Sequence, residues 1–231
     1  MRSAKYFPPA PLSAFVQCLW YFEGAPTTHA KERLLPNGET AVIFNLRDDP
    51  IRIYDADDLT RFTTYGTAVL SGARTNCFAI DCVQQERVVG IEFHPGGAYP
   101  FLRMPAYEFE NASVGLDDIW RGGAAEIREN LLAAPSIGVM FADLERLLMA
   151  QLVRPLELHP AIEFALGQFR RSDHDSKVTQ VADQIGLSYR RFIELFRRQV
   201  GLTPKVFCRV RRFQTVLRAI HRRDDIEWAE T

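Results

Sequence analysis

Apolar positions follow two different periods along the chain, and the change between them falls near Phe93. Before it the period is two: Val42, Phe44 and Leu46 alternate within Thr40–Leu46, and Val89, Ile91 and Phe93 alternate within Glu86–Phe93. Phe15–Glu23 is rich in aromatics, which suit a pleated surface. Turn signals at Pro36-Asn37-Gly38, Asp48-Asp49-Pro50, Asp55–Asp58 and Ser71-Gly72 separate these runs. Short strands punctuated in this way predict a small antiparallel barrel or sandwich. After Phe93 the spacing is helical. His94-Pro95-Gly96-Gly97 reads as a turn, Ala98–Met104 as a short helix, and Leu116–Ala133 as a longer one bent near Gly122-Gly123. Ser136–Leu152 is a third, with Ser136 as its cap and Ile137, Met140, Phe141, Leu144, Leu147 and Leu148 on one face. These helices are expected to cover one side of the barrel or to carry an oligomer contact. The fold class expected is α+β: a β-rich domain with packed helices over 1–155, then an all-helical region over 160–231.

The most informative stretch is Lys177–Phe207. Val178, Val181, Ala182 and Ile185 recur at helical intervals behind Ser176, a candidate cap, and Gly186 ends that helix. Ser188 is a second candidate cap. Behind it Phe192, Leu195, Phe196 and Val200 share one face, while Arg190, Ile193, Glu194 and Arg197 form a second stripe on the side that does not pack. Gly201 closes the second helix and Thr203-Pro204 starts a third. Two helices joined at a glycine, the second with arginines facing outward, predict a helix-turn-helix that lies in a major groove.

Charge sharpens this picture. The 231 residues carry a formal net charge of −1, yet Met1–His159 holds 14 Lys and Arg against 20 acids, net −6, and the remainder holds 14 against 9, net +5. Between Gly186 and Arg223 there are eleven basic residues and one acid, Glu194. Each phosphate that such a side chain neutralises releases counterions, so only the back of the chain is expected to meet double-stranded DNA. The four cysteines are scattered, no secretory pattern opens the chain, and no apolar run approaches the roughly 20 residues that span a bilayer. A cytoplasmic protein is expected.

The segment LSYRRFIELFRRQVGLTPKVFCRVRRFQTVL resembles the first helix-turn-helix and linker helix of the AraC family of bacterial transcription regulators. The positions that carry the resemblance are Val181-Ala182, Ser188, the Phe192/Leu195/Phe196 core, Gly201, Pro204-Lys205 and Arg212-Phe213. It implies that Ser188–Arg198 is the recognition helix, with Arg190, Ile193 and Glu194 nearest base edges and Tyr189, Arg191 and Arg198 nearer phosphates; Arg197 and Lys205 complete the expected DNA-binding set. The family pairs two such units. Here Asp225–Ala229 looks like the opening of the second, and the chain stops at Thr231. The stretches LLPNGETAVIFNL and FHPGGAYPFLRMPAYEFENASVGLDDIW are similar to the amino-terminal domain of one branch of the family. That similarity implies a domain that senses a small molecule or mediates dimerisation, so an effector and a homodimer join DNA as implied partners.

Other chemistry finds little support. A gap of five puts Cys77 and Cys82 on opposite faces of one strand, which reads as two buried cysteines and not as metal ligands. His94 has no second ligand at metal spacing and reads as part of a turn; Gly96-Gly97 lacks the lysine of a phosphate loop; and no nucleophile elbow occurs. No enzyme, cofactor or metal is expected. Phe15, Trp20, Tyr21 and Phe22 either fill the barrel core or line a ligand pocket, and Glu23 and Glu92 face either solvent or that interior, where they would suit a cation. The second reading of the whole is a small-molecule-binding or interaction module with a vestigial half helix-turn-helix.

Overall fold

The computed structural model describes residues 1–24, 30–120, 123–171 and 178–221. Ser176, Gly122 and the segment 225–229, which entered the expectations above, lie outside the described residues.

Among the described residues ten strands form two antiparallel sheets. They are β1 (Arg2–Tyr6), β2 (Val16–Glu23), β3 (Lys31–Leu34), β4 (Ala41–Asn45), β5 (Arg52–Asp55), β6 (Phe62–Thr64), β7 (Ala68–Ser71), β8 (Phe78–Asp81), β9 (Arg87–Phe93) and β10 (Ser113–Gly115). The larger sheet runs β1-β2-β9-β4-β7-β10 and the smaller β3-β8-β5-β6. Register fixes which side chains share a face. Cys18 lies opposite Glu92, Glu92 opposite Ala41, Ala41 opposite Ser71, and Ser71 opposite Ser113, one row across five strands.

The two faces of the larger sheet have different neighbours. Leu19, Tyr21, Val42, Phe44, Leu70, Val89, Ile91 and Phe93 belong to the main core, which also takes in α1 (Ala124–Ala133) and α2 (Ile137–Ala150). Ser136 caps α2 by accepting from Val139 N at 3.3 Å, as its spacing predicts. The opposite face, with Trp20, Phe22, Ile43, Val69 and Glu92, looks across a cavity of about 700 Å³ to Ile53, Phe78 and Ile80 of the smaller sheet. The aromatic group at 15–22 is therefore divided. Phe15 and Tyr21 are core, while Trp20 and Phe22 line the cavity, because alternate residues of a strand point to opposite faces.

Three expectations need correction, one of them Leu116–Ala133, which is a 3-10 turn at Leu116–Asp118 and a separate helix over Ala124–Ala133. Ala98–Met104 is only a 3-10 turn at Tyr99–Phe101: Leu102 is already extended, and Pro105 biases Met104 the same way. Cys82 is buried but Cys77 is exposed, because the strand between them begins only at Phe78. The helix α3 (Pro160–Arg171) was not anticipated; it packs Ile162, Ala165, Leu166 and Phe169 into a second core. His94 does close a turn, with its carbonyl accepting from Gly97 N at 2.7 Å.

That second core holds α4 (Val178–Ile185), α5 (Tyr189–Val200) and α6 (Pro204–His221) together. Phe169, Phe192, Phe196 and Phe207 meet in edge and tilted contacts with ring centroids 5.6–6.3 Å apart. Phe192 and Phe196 are fully buried, so the apolar stripe read from the sequence is the inner face of α5. Phe196→Ala should destabilise the chain by about 3–5 kcal/mol, measured by urea denaturation, since its cavity is walled by rings that cannot collapse inward.

Candidate nucleic-acid interface

Residue types at two glycines set the direction of α5. Gly186, after α4, has φ +72°, and Gly201, after α5, is left-handed at φ 94° and ψ −22°, with its amide donating to Arg197 O. At Gly201 an added Cβ would also stand 3.3 Å from Ala106 O, so both backbone and space favour glycine there. Ser188 Oγ accepts from Arg191 N at 3.3 Å, and Thr203 Oγ1 accepts from Val206 N at 3.3 Å to cap α6 behind Pro204.

The outer face of α5 is divided along its length. At the amino-terminal end Ser188, Tyr189, Arg190, Arg191 and Glu194 are exposed, and Ile193 is half-buried. Arg191 and Glu194 form an exposed ion pair of 3.2 Å, three residues apart. Such a pair is worth little in stability. Lys205, Arg209 and Arg212 are exposed on α6.

At the carboxy-terminal end α5 lies against the β-rich domain, in contact with the 3-10 turn Ala106–Phe109. There Arg197, expected to face outward, is half-buried, with its guanidinium 5.0 Å from the centroid of Tyr107 and, among the described residues, no hydrogen-bond acceptor for its Nε. Arg198 stays exposed, but its Nε donates to Tyr99 Oη at 3.2 Å, a bond that raises its pKa further. On the other side of Tyr99, Arg154 lies 4.5 Å from the ring centroid and donates to the carbonyls of Tyr99 and Leu102. The buried Gln199 accepts from His159 N at 3.1 Å, fastening α5 to the start of α3. Tyr99 and Tyr107 carry no sequence signal of this role, because their partners lie about ninety positions further along the chain.

A second contact joins α6 to residues 36–39. Gln214 Nε2 donates to Pro36 O at 2.6 Å, and a methyl added at Gly38 would sit 3.2 Å from Val210 Cγ1. Leu34, Leu35, Asn37 and Glu39 of the same segment line the cavity, so one stretch of backbone is both cavity wall and seat for α6. Burial, together with a hydrogen bond shared with Glu92, pushes the Glu39 carboxyl up to about 8, against the pull of Arg218 and Arg211. Glu92 also accepts from the Cys18 thiol at 3.4 Å, and burial with this bond pushes that thiol up to about 11.

Residues 172–207 match the bacterial regulatory helix-turn-helix proteins, AraC family, and residues 4–115 match a domain of unknown function (DUF6597). No curated protein matches the chain. Among solved structures, a variant of apo ToxT from Vibrio cholerae aligns over 85% of this chain and 97% of that one, at 9% identity and a TM-score of 0.32. That likeness is too distant to support an argument. The match makes the segment 172–207, which holds α4, α5 and the start of α6, an AraC-type helix-turn-helix, and supports a DNA-binding transcription regulator.

Two outcomes test this geometry. Tyr99→Phe removes the acceptor that holds Arg198, and should steepen the dependence of DNA affinity on salt by up to about one released ion, read by anisotropy titration. Glu39 has a folded pKa above the ordinary 4.5, so its folded form keeps a proton that the unfolded chain releases. Its stabilisation is complete below about 4.5 and is lost as pH rises through about 8. Glu39→Gln should therefore flatten the fall in urea midpoint between those values and leave the variant the more stable of the two above pH 8.

Proposed function

We propose that this regulator reads a promoter half-site by placing the amino-terminal half of α5 in the major groove of double-stranded DNA. Arg190, Ile193 and Glu194 face base edges. Tyr189, Arg191, Arg198 and Lys205 face phosphates, Ser188 serves as the cap that aims the helix, and Arg197 joins the phosphate contacts once it leaves Tyr107. The observation that carries this reading is the exposure of Ser188–Arg191 and Glu194 at the end of α5 opposite its docked end. Recognition helices present their amino-terminal residues to base edges, and that end is free. A guanidinium at Arg190 suits the paired acceptors of guanine, and the Glu194 carboxylate suits the amino group of cytosine.

The division of labour falls at Pro155–Pro160, with an acidic sensing and dimerising region before it and the basic reading head after it. A small molecule or a second copy of the chain, bound by the front region, shifts the populations of docked and released α5. Because Arg197 and Arg198 are engaged by Tyr107 and Tyr99 in the docked arrangement, release would add two cations to the DNA-facing surface. The protein works in the cytoplasm, where its promoter is.

Mobility-shift titration on genomic fragments tests the reading. Arg190→Ala should cost about 1–3 kcal/mol on the preferred site and relax preference at one base pair, whereas Arg198→Ala should weaken all sequences alike and lower the salt slope by about one. Unchanged affinity and preference in Arg190→Ala would remove α5 from the groove. The absence of any shift, with a small molecule bound by the front region, would favour a binding module whose helix-turn-helix is vestigial.

A further inference from the structure

The cavity between the two sheets carries more information than its size. At about 700 Å³ it falls within the range of small-molecule sites, and Trp20, Phe22, Ile43, Ile53 and Phe78 make its wall largely apolar. The indole of Trp20 lies across Gly90, where an added Cβ would come within 2.4 Å of the ring, so the floor of the cavity is flat and aromatic.

The charges that line it are not equally satisfied. Asp81 accepts from Tyr54 Oη at 2.8 Å and faces Arg52 at 3.7 Å. Glu39 and Glu92 share a hydrogen bond and feel Arg211 and Arg218 of α6. Arg74 differs: it is 7% exposed, and among the described residues it forms no ion pair. Its two terminal nitrogens donate to Asn111 O at 2.9 Å and Ser113 Oγ at 2.6 Å, its guanidinium lies 4.3 Å from the centroid of Phe78, and its Nε has no acceptor at all. A buried guanidinium with an unmatched charge and an unused N–H is costly, and burial accordingly lowers its pKa. A planar oxyanion in the cavity supplies the missing charge, since a guanidinium takes a carboxylate through its planar set of N–H donors.

We propose that the cavity is the binding site of an apolar organic carboxylate, whose anionic end pairs with Arg74 and whose body lies on Trp20 and Phe78. This rests on the reading that the front region takes a small molecule, and it names the chemical class. It also supplies a route outward: the segment 34–39 that closes the cavity is the one that Gln214 and Val210 of α6 hold, so filling the cavity acts on the seat of the linker helix.

The test is calorimetry on the full chain without DNA, with Trp20 fluorescence as a second readout. The probes are benzoate, naphthoate and octanoate, their uncharged amides, and the corresponding amines. The carboxylates should saturate and bind at least about tenfold tighter than the amides. Arg74→Met should erase that preference while leaving amide binding unchanged, and Arg74→Lys, which keeps charge but loses the fork, should fall between. Equal binding of carboxylate and amide by the unaltered chain would overturn the proposal, whether or not the variants fold. So would tighter binding of the amines, which would place the ligand at Glu39 and Glu92, or no binding of any probe at millimolar concentration. Because no DNA is present, a failed reading head and a failed ligand site give separate signals.

Discussion

The structure depends on how the inner face of α5 is clamped. Phe192 and Phe196 are held among Phe169 and Phe207, so the helix cannot rotate about its axis without opening a closely packed aromatic cluster. Fixing the inner face fixes the outer one. The residues away from the apolar stripe, Arg190, Arg191 and Glu194, point to solvent because Phe192, Leu195 and Phe196 point inward.

The same helix takes part in a second contact, and the two constraints meet along its length. Its carboxy-terminal turn rests on the β-rich domain through Arg197 over Tyr107, Arg198 on Tyr99 and Gln199 on His159. Its amino-terminal residues Ser188–Arg191 are exposed. The exposed end and the docked end thus lie on one helix, so a change at the dock displaces the exposed end as well. The cavity lies close by in connectivity: the segment 34–39 separates it from α6 and touches both. The Glu39 and Glu92 pair stands at that seam.

The legible parts of the fold were those with long, uninterrupted periods. The stripe of α5, the caps Ser136 and Ser188, and the alternation of Val42 and Phe44 or Val89 and Ile91 all follow from local geometry that a sequence carries openly. The short strands β5 and β6 do not. They run four and three residues, too few for alternation to stand out, and β6 is exposed throughout. Arg197 was read as outward-facing because spacing along a helix says nothing of Tyr107, a residue distant in sequence that covers one end of the stripe. Arg74 carries no signal in the sequence. Its significance lies in the lack of an acidic neighbour, and that is visible only once the sheets have enclosed it.

Amide chemical-shift mapping of the full chain with a bound duplex tests the central claim most directly. The account predicts that the largest perturbations fall on Ser188–Glu194 at the free end of α5, with smaller ones at Lys205 and at the docked arginines. Perturbations concentrated on the β-rich domain, with Ser188–Glu194 unmoved, would contradict it.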